Sequence, residues 1–230
     1  ALQQKPISFY RQVIALLEAS DNIQRERNLA KLAQKQSDLF EENGISLIPT
    51  DIIDYSEEFL HKILTGMGAY TESQGPKFIR EAISDFIDIR DKNDVVSDPD
   101  SIFLTDGASD AVRRILELLI TGPNDGIMIP IPQYPLYSAT VKRCGGVEVG
   151  YYPTEEEDWA LTPDILEEAF QNATTKGVNV KCIVIINPGN PTGAILNKNS
   201  IDGVVNFAEK KKLSIIADEV YQENLYGGSF

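Results

Sequence analysis

Beyond Val95, short apolar runs alternate with amphipathic stretches, and no other feature of the chain constrains its fold as strongly. Strands separated by helix-length connections pair in parallel as βαβ units. The runs expected to be strands are Ile102–Leu104, Ile127–Ile129, Val147–Tyr151, Cys182–Ile186 and Leu213–Ala217. Cys182-Ile-Val-Ile-Ile186 is apolar throughout, as a strand covered on both faces must be. Helices are expected between them at Ser109–Ile120, Tyr134–Arg143, Pro163–Gln171 and Ser200–Lys211. A further helix follows Pro76, with Phe78, Ile79, Ala82, Ile83, Phe86 and Ile87 as its apolar stripe. The first sixty residues read as helix broken by polar turns. Phe9, Val13, Ile14 and Leu17 share one face there, and Leu29, Leu32, Ala33, Leu39 and Phe40 share another. The chain therefore divides into an N-terminal helical segment, 1–64, and an α/β domain, 65–230.

Composition removes several function classes. The 35 acidic side chains outnumber 21 basic ones, for a formal net charge of −14. That balance opposes binding to nucleic acid or to an anionic membrane surface. One histidine, His61, and two cysteines, Cys144 and Cys182, supply neither a zinc cluster nor a disulfide framework. No metal site is expected on that ground, and no membrane span, because no run of 18 apolar residues occurs. The Gly66-Met-Gly-Ala-Tyr-Thr71 stretch is a poor dinucleotide fingerprint: no strand precedes it, and Thr71 stands where the third glycine belongs.

In open α/β sheets ligands bind beyond the carboxyl ends of the strands, and four of those ends are unusual here. Thr105-Asp-Gly-Ala-Ser-Asp110 leads straight into a helix. It is either a phosphate cradle, with Gly107, Ala108 and Ser109 at a helix N-terminus, or an ordinary turn capped by Ser109. Ile129-Pro-Ile-Pro-Gln-Tyr-Pro-Leu-Tyr137 fixes Tyr134 at a strand end, where its ring can stack on a flat ligand or fill core. Asn187-Pro-Gly-Asn-Pro-Thr-Gly193 holds Asn190 between turn formers, for a ligand or for the turn alone. Ala217-Asp-Glu-Val-Tyr221 places Asp218 directly after an apolar strand. A carboxylate there needs a cationic partner or serves as a helix cap, and Tyr221 lies one helical turn on.

The order of these four segments resembles the fold-type I pyridoxal-phosphate aminotransferases. Gln4-Lys-Pro-Ile-Ser-Phe-Tyr-Arg-Gln-Val13, Gly68-Ala-Tyr70, Ile129–Thr140, Ile186–Gly193 and Ala217–Gln222 resemble the alanine aminotransferases within that family. The resemblance implies a three-layer αβα large domain with a mostly parallel sheet, incomplete in this chain, after an N-terminal helical segment. It implies that Gly107, Ala108 and Ser109 hold the phosphate of pyridoxal 5′-phosphate, and that Tyr134 and Val220 sandwich its ring. Asp218 would meet the ring nitrogen as an electronic tuner. Asn190 and Tyr221 would bind the phenolic oxygen, Asn190 also the substrate carboxylate, and Tyr70 the phosphate of a neighbouring subunit. The implied protein is a homodimer with shared active sites, in the cytoplasm or mitochondrial matrix. It moves an amino group between L-alanine and 2-oxoglutarate. The lysine that forms the Schiff base is absent here, since no lysine follows Lys212. It is expected beyond Phe230, in a parent cut at both ends, so this chain alone would be inactive. Another fold-type I enzyme, such as a β-lyase or synthase, or a non-catalytic module on the same scaffold, would share most of these features.

Overall fold

The computed structural model describes residues 50–63, 70–92 and 94–224. The two helical faces expected within the first forty residues, and Gly66–Ala69, lie outside the described residues. The chain separates into two compact units, with the division between Leu104 and Thr105.

The first unit contains α1 (Thr50–Lys62), α2 (Lys77–Arg90) and a 3-10 turn at Pro99–Ser101. Pro76 is the residue that opens α2. The helix does not bury its apolar stripe as expected: Ala82 and Phe86 are exposed, while Arg80 and Ser84 are buried. Arg80 is acceptable inside because its guanidinium donates to Gly75 O at 3.0 Å, Pro99 O at 2.6 Å and Asp100 Oδ1 at 3.0 Å. Ser84 and Ser97 exchange hydrogen bonds through their hydroxyls and carbonyls. The expected strand Ile102–Leu104 does not form a ladder. The Leu104 N–H goes to Gln74 O at 2.8 Å, and Phe103 is exposed. Apolar alternation makes a strand only where a neighbour offers an edge, and none does so among the described residues.

The second unit runs α3 (Ala108–Leu119), β1 (Asp125–Pro130), α4 (Leu136–Arg143), β2 (Val147–Tyr151), α5 (Pro163–Thr174), β3 (Asn179–Ile186), α6 (Lys198–Lys211) and β4 (Ser214–Asp218). The sheet has the order β2-β1-β3-β4 and every pairing is parallel. Alternate side chains sort into two cores. Ile127, Ile129, Cys182, Val184 and Ile186 join Leu116 of α3 and Tyr137 of α4 on one face. Met128, Ile183 and Ile185 join Leu166 of α5 and Phe207 of α6 on the other. Each such apolar side chain contributes about 1.5–3 kcal/mol on burial. The result is three layers, helix on sheet on helix, as expected. Burial of the Cys182 thiol at the sheet's centre pushes it up to about 12, so it is packing rather than a nucleophile.

Element boundaries follow local chemistry. Helix α4 begins at Leu136 rather than the expected Tyr134, because a residue before proline is steered away from helical backbone. Helix α6 starts two residues early, capped by Asn197, whose side chain accepts from Ser200 N at 2.9 Å. The turn into β1 is closed by Asp125. Its carboxylate accepts from Thr121 N and Oγ1, both at 2.9 Å, from Gly122 N at 3.0 Å and from Asn179 Nδ2 at 2.9 Å. Those donors, Thr121 first, hold Asp125 down to about 2, with Lys181 helping at 3.5 Å.

Candidate functional site

The carboxyl ends of β1, β3 and β4 lie side by side, and the segments leaving them carry the residues singled out above. At the end of β4, Asp218 aligns with Ile186 of β3, and its carbonyl accepts from Asn187 N at 3.0 Å. Its side chain has two partners. Tyr137 Oη donates to Oδ2 at 2.6 Å, and Val220 N donates to Oδ1 at 3.3 Å. Among the described residues Asp218 caps no helix: the chain through Asn224 turns, with Gln222 N donating to Glu219 O at 3.0 Å and Asn224 N to Tyr221 O at 2.9 Å. A carboxylate has about four acceptor positions, so Asp218 keeps free capacity for a cationic N–H.

The loop after β3 ties itself down. Leu196 N donates to Asn187 Oδ1 at 3.0 Å, Gly189 N to Ala194 O at 2.9 Å, and Gly193 N to Gly189 O at 2.8 Å. The Asn187 amide is therefore committed to the loop, while Asn190 is carried out of it. Asn190 Nδ2 donates to Tyr221 Oη at 3.1 Å, joining the loop after β3 to the turn after β4. A cleft on the Asn190 side is lined by Pro132, Trp159 and Thr192. Tyr134 is half exposed. It lines an open groove with Arg113, Leu136 and Arg143 rather than filling core.

At the head of α3 the cap is Gly107, not Ser109. Gly107 has φ 79 and ψ 168, a backbone that disfavours any side chain, and no side chain caps the helix. Ser109 lies inside the first turn. Among the described residues, the N–H groups of Ala108 and Ser109 meet no acceptor. Two free donors at a helix N-terminus are what an anion needs. Asp110 in the same turn is paired with Arg114 at 2.8 Å, which offsets its charge. Val220 is exposed beside Asp218. Tyr70 belongs to the first unit and is fully exposed.

Sequence reasoning missed Tyr137. It stands in the same proline-rich segment as Tyr134, three residues on, and was given no role of its own. The signal was its hydroxyl, because a buried phenol must find an acceptor.

One parallel sheet between two helix layers, with a carboxylate, an amide and a phenol beyond its strand ends and two free N–H groups at a helix head, is the arrangement of a fold-type I pyridoxal-phosphate domain. Sequence comparison narrows the class: residues 28–230 match the family described as aminotransferase class I and II. The chain belongs to that family, which uses pyridoxal phosphate. It is 43% identical over 225 residues to the probable mitochondrial alanine aminotransferase of Dictyostelium discoideum, covering 98% of this chain and 39% of that protein. It is 41% identical over 226 residues to glutamate–glyoxylate aminotransferase 1 of Arabidopsis thaliana, covering 98% of this chain and 43% of that protein. Among solved structures, the alanine aminotransferase of Pyrococcus furiosus is similar with a TM-score of 0.62 and 31% identity, over 75% of this chain and 42% of that one. The chain thus spans about two fifths of the length of the curated relatives it matches.

The residues present fit the family's cofactor. Asp218 offers a negative acceptor toward a ring nitrogen, the start of α3 offers two unpartnered N–H groups toward a phosphate, and the exposed Tyr134 ring is uncovered for stacking.

Proposed function

We propose that this chain is the cofactor-holding part of an alanine aminotransferase that exchanges the amino group between L-alanine and 2-oxoglutarate. The observation that carries the proposal is the Asn190–Tyr221 hydrogen bond at 3.1 Å, one strand end from Asp218. A turn or cap has no use for all three side chains together.

Pyridoxal phosphate, when bound, supplies a protonated ring that withdraws electrons from the substrate's α carbon. The chain's own groups divide the remaining tasks. Asp218 holds a proton at the ring nitrogen through its free lone pairs. The Ala108 and Ser109 N–H groups, with the positive end of α3, bind the phosphate. Asn190 and Tyr221 donate toward the phenolic oxygen. Asn190 also orients the substrate carboxylate, Tyr134 and Val220 bracket the ring, and Tyr70 serves a neighbouring subunit in a homodimer with shared sites. Transfer itself requires a lysine, and none follows Lys212 in these 230 residues. By themselves they bind cofactor without turnover. The name of the D. discoideum relative favours a mitochondrial over a cytoplasmic location. Among the described residues no helix is long and apolar enough to cross a membrane.

Two measurements test the proposal. The chain should bind pyridoxamine 5′-phosphate, which needs no lysine, and should show no alanine–2-oxoglutarate turnover. A polypeptide carrying these residues together with a downstream lysine should convert bound pyridoxal phosphate to the pyridoxamine form with L-alanine. Conversion by glutamate alone, with alanine inert, would replace the substrate assignment; no conversion by any amino donor would remove transamination.

A further inference from the structure

We infer that Tyr137 is the positioning residue for Asp218: its buried hydroxyl fixes the carboxylate so that the remaining lone pairs face the cofactor's ring nitrogen. The inference rests on the cofactor reading proposed above and names a residue that reading does not use.

Tyr137 is the second residue of α4 and is completely buried, within the core cluster that contains Ile127, Val141 and Val184. Its hydroxyl donates to Asp218 Oδ2 at 2.6 Å across 81 residues of sequence. That distance is typical of a charge-assisted O–H···O⁻ bond, about twice as strong as a neutral one. Burial first, and the neighbouring carboxylate second, push the phenol well above its ordinary range, so it keeps its proton and donates at every working pH. The other oxygen, Oδ1, accepts from Val220 N at 3.3 Å. One rigid donor from the core and one from the turn hold both oxygens, and rotation of the carboxylate would break either bond.

A second buried tyrosine shows what a purely structural hydroxyl looks like. Tyr151 is 2% exposed and donates to Val184 O at 2.7 Å, a neutral acceptor in the middle of β3. The two phenols share burial and hydrogen bonding but differ in target. Only Tyr137 addresses the carboxylate that would meet a ligand.

The test uses the full chain, with pyridoxamine 5′-phosphate labelled with nitrogen-15 at the ring as the probe. Wild type is expected to bind it with a protonated ring-nitrogen signal. Tyr137→Phe, checked by near-ultraviolet circular dichroism for a native fold, should bind on the order of tenfold more weakly. Its ring-nitrogen signal should shift toward the unprotonated value, with the titration midpoint moved to lower pH. Tyr151→Phe should lower the unfolding midpoint and leave affinity and nitrogen signal unchanged. A folded Tyr137→Phe with wild-type affinity and signal overturns the inference while leaving the cofactor reading intact. So does a Tyr151→Phe that disturbs the probe equally. Failure of the wild type to bind the probe overturns the cofactor reading, and this inference with it.

Discussion

Asn190 donates from Nδ2 to the hydroxyl of Tyr221 at 3.1 Å, and this bond spans two loops that leave neighbouring strands. Both side chains are half buried, so the pair is held by geometry rather than by enclosure. Tyr221→Phe and Asn190→Ala should each weaken pyridoxamine 5′-phosphate binding several-fold. In a double-mutant cycle the two changes should be less than additive, by about 0.5–1.5 kcal/mol. Calorimetric titration of the four proteins measures it, and strict additivity would mean that the two groups act on a ligand independently.

Gly107 carries φ 79 at the head of α3, and a Cβ built there meets nothing within 4 Å. Steric room is therefore not the constraint; the backbone is. Gly107→Ala should cost about 1–3 kcal/mol, because φ 79 with ψ 168 is backbone essentially confined to glycine. Urea unfolding measures it. A neutral result would show that the turn relaxes, and the Ala108 and Ser109 N–H groups would then lose their fixed aim.

The sheet was legible in advance because its signal is redundant. Cys182–Ile186 is apolar at every position, and a short run of that kind suits a parallel strand covered on both faces better than any half-exposed element. The Ile102–Leu104 run failed because its apolar pattern says nothing of a pairing partner, which is a property of distant chain. Arg80 was not singled out, for a different reason: an arginine in an amphipathic helix reads as surface, and only the carbonyls of Gly75 and Pro99 explain its burial. Within the site, Asp218, Asn190 and Tyr221 stood out because polar groups after apolar strands are costly without a task. Tyr137 did not, because its cost is hidden inside the core until its acceptor, 81 residues away, is known.

Arg80 also sets a stability prediction for the first unit. It is 3% exposed and fastens Gly75, Pro99 and Asp100, whereas its ionic partners Glu72 and Asp100 are largely in water. The hydrogen bonds to the Gly75 and Pro99 carbonyls, not the ion pairs, are the main contribution. Arg80→Met should cost about 2–4 kcal/mol, and Asp100→Asn well under 1 kcal/mol. Chemical denaturation of both variants separates the contributions; equal losses would make the ion pair dominant.

Asp125 gives the chain a defined acid limb. Its carboxyl is held down to about 2, against an ordinary value near 3.8, chiefly by the Thr121 N–H and hydroxyl. A group whose folded value is depressed adds stability that is fully present above the unfolded value and disappears as pH falls through the folded one. The window for Asp125 therefore runs from about pH 4 down to about pH 2. Asp125→Asn keeps the size of the side chain but removes the charge that these donors favour. At pH 7 the variant should unfold at lower urea concentration than wild type. That gap should stay constant down to about pH 4, narrow below it, and close near pH 2. A gap that persists unchanged at pH 2 would assign the stabilisation to the shape of the turn instead of to the ionised carboxylate. Thr121→Val, which removes the hydroxyl donor but leaves the backbone N–H, should show a smaller gap with the same pH dependence.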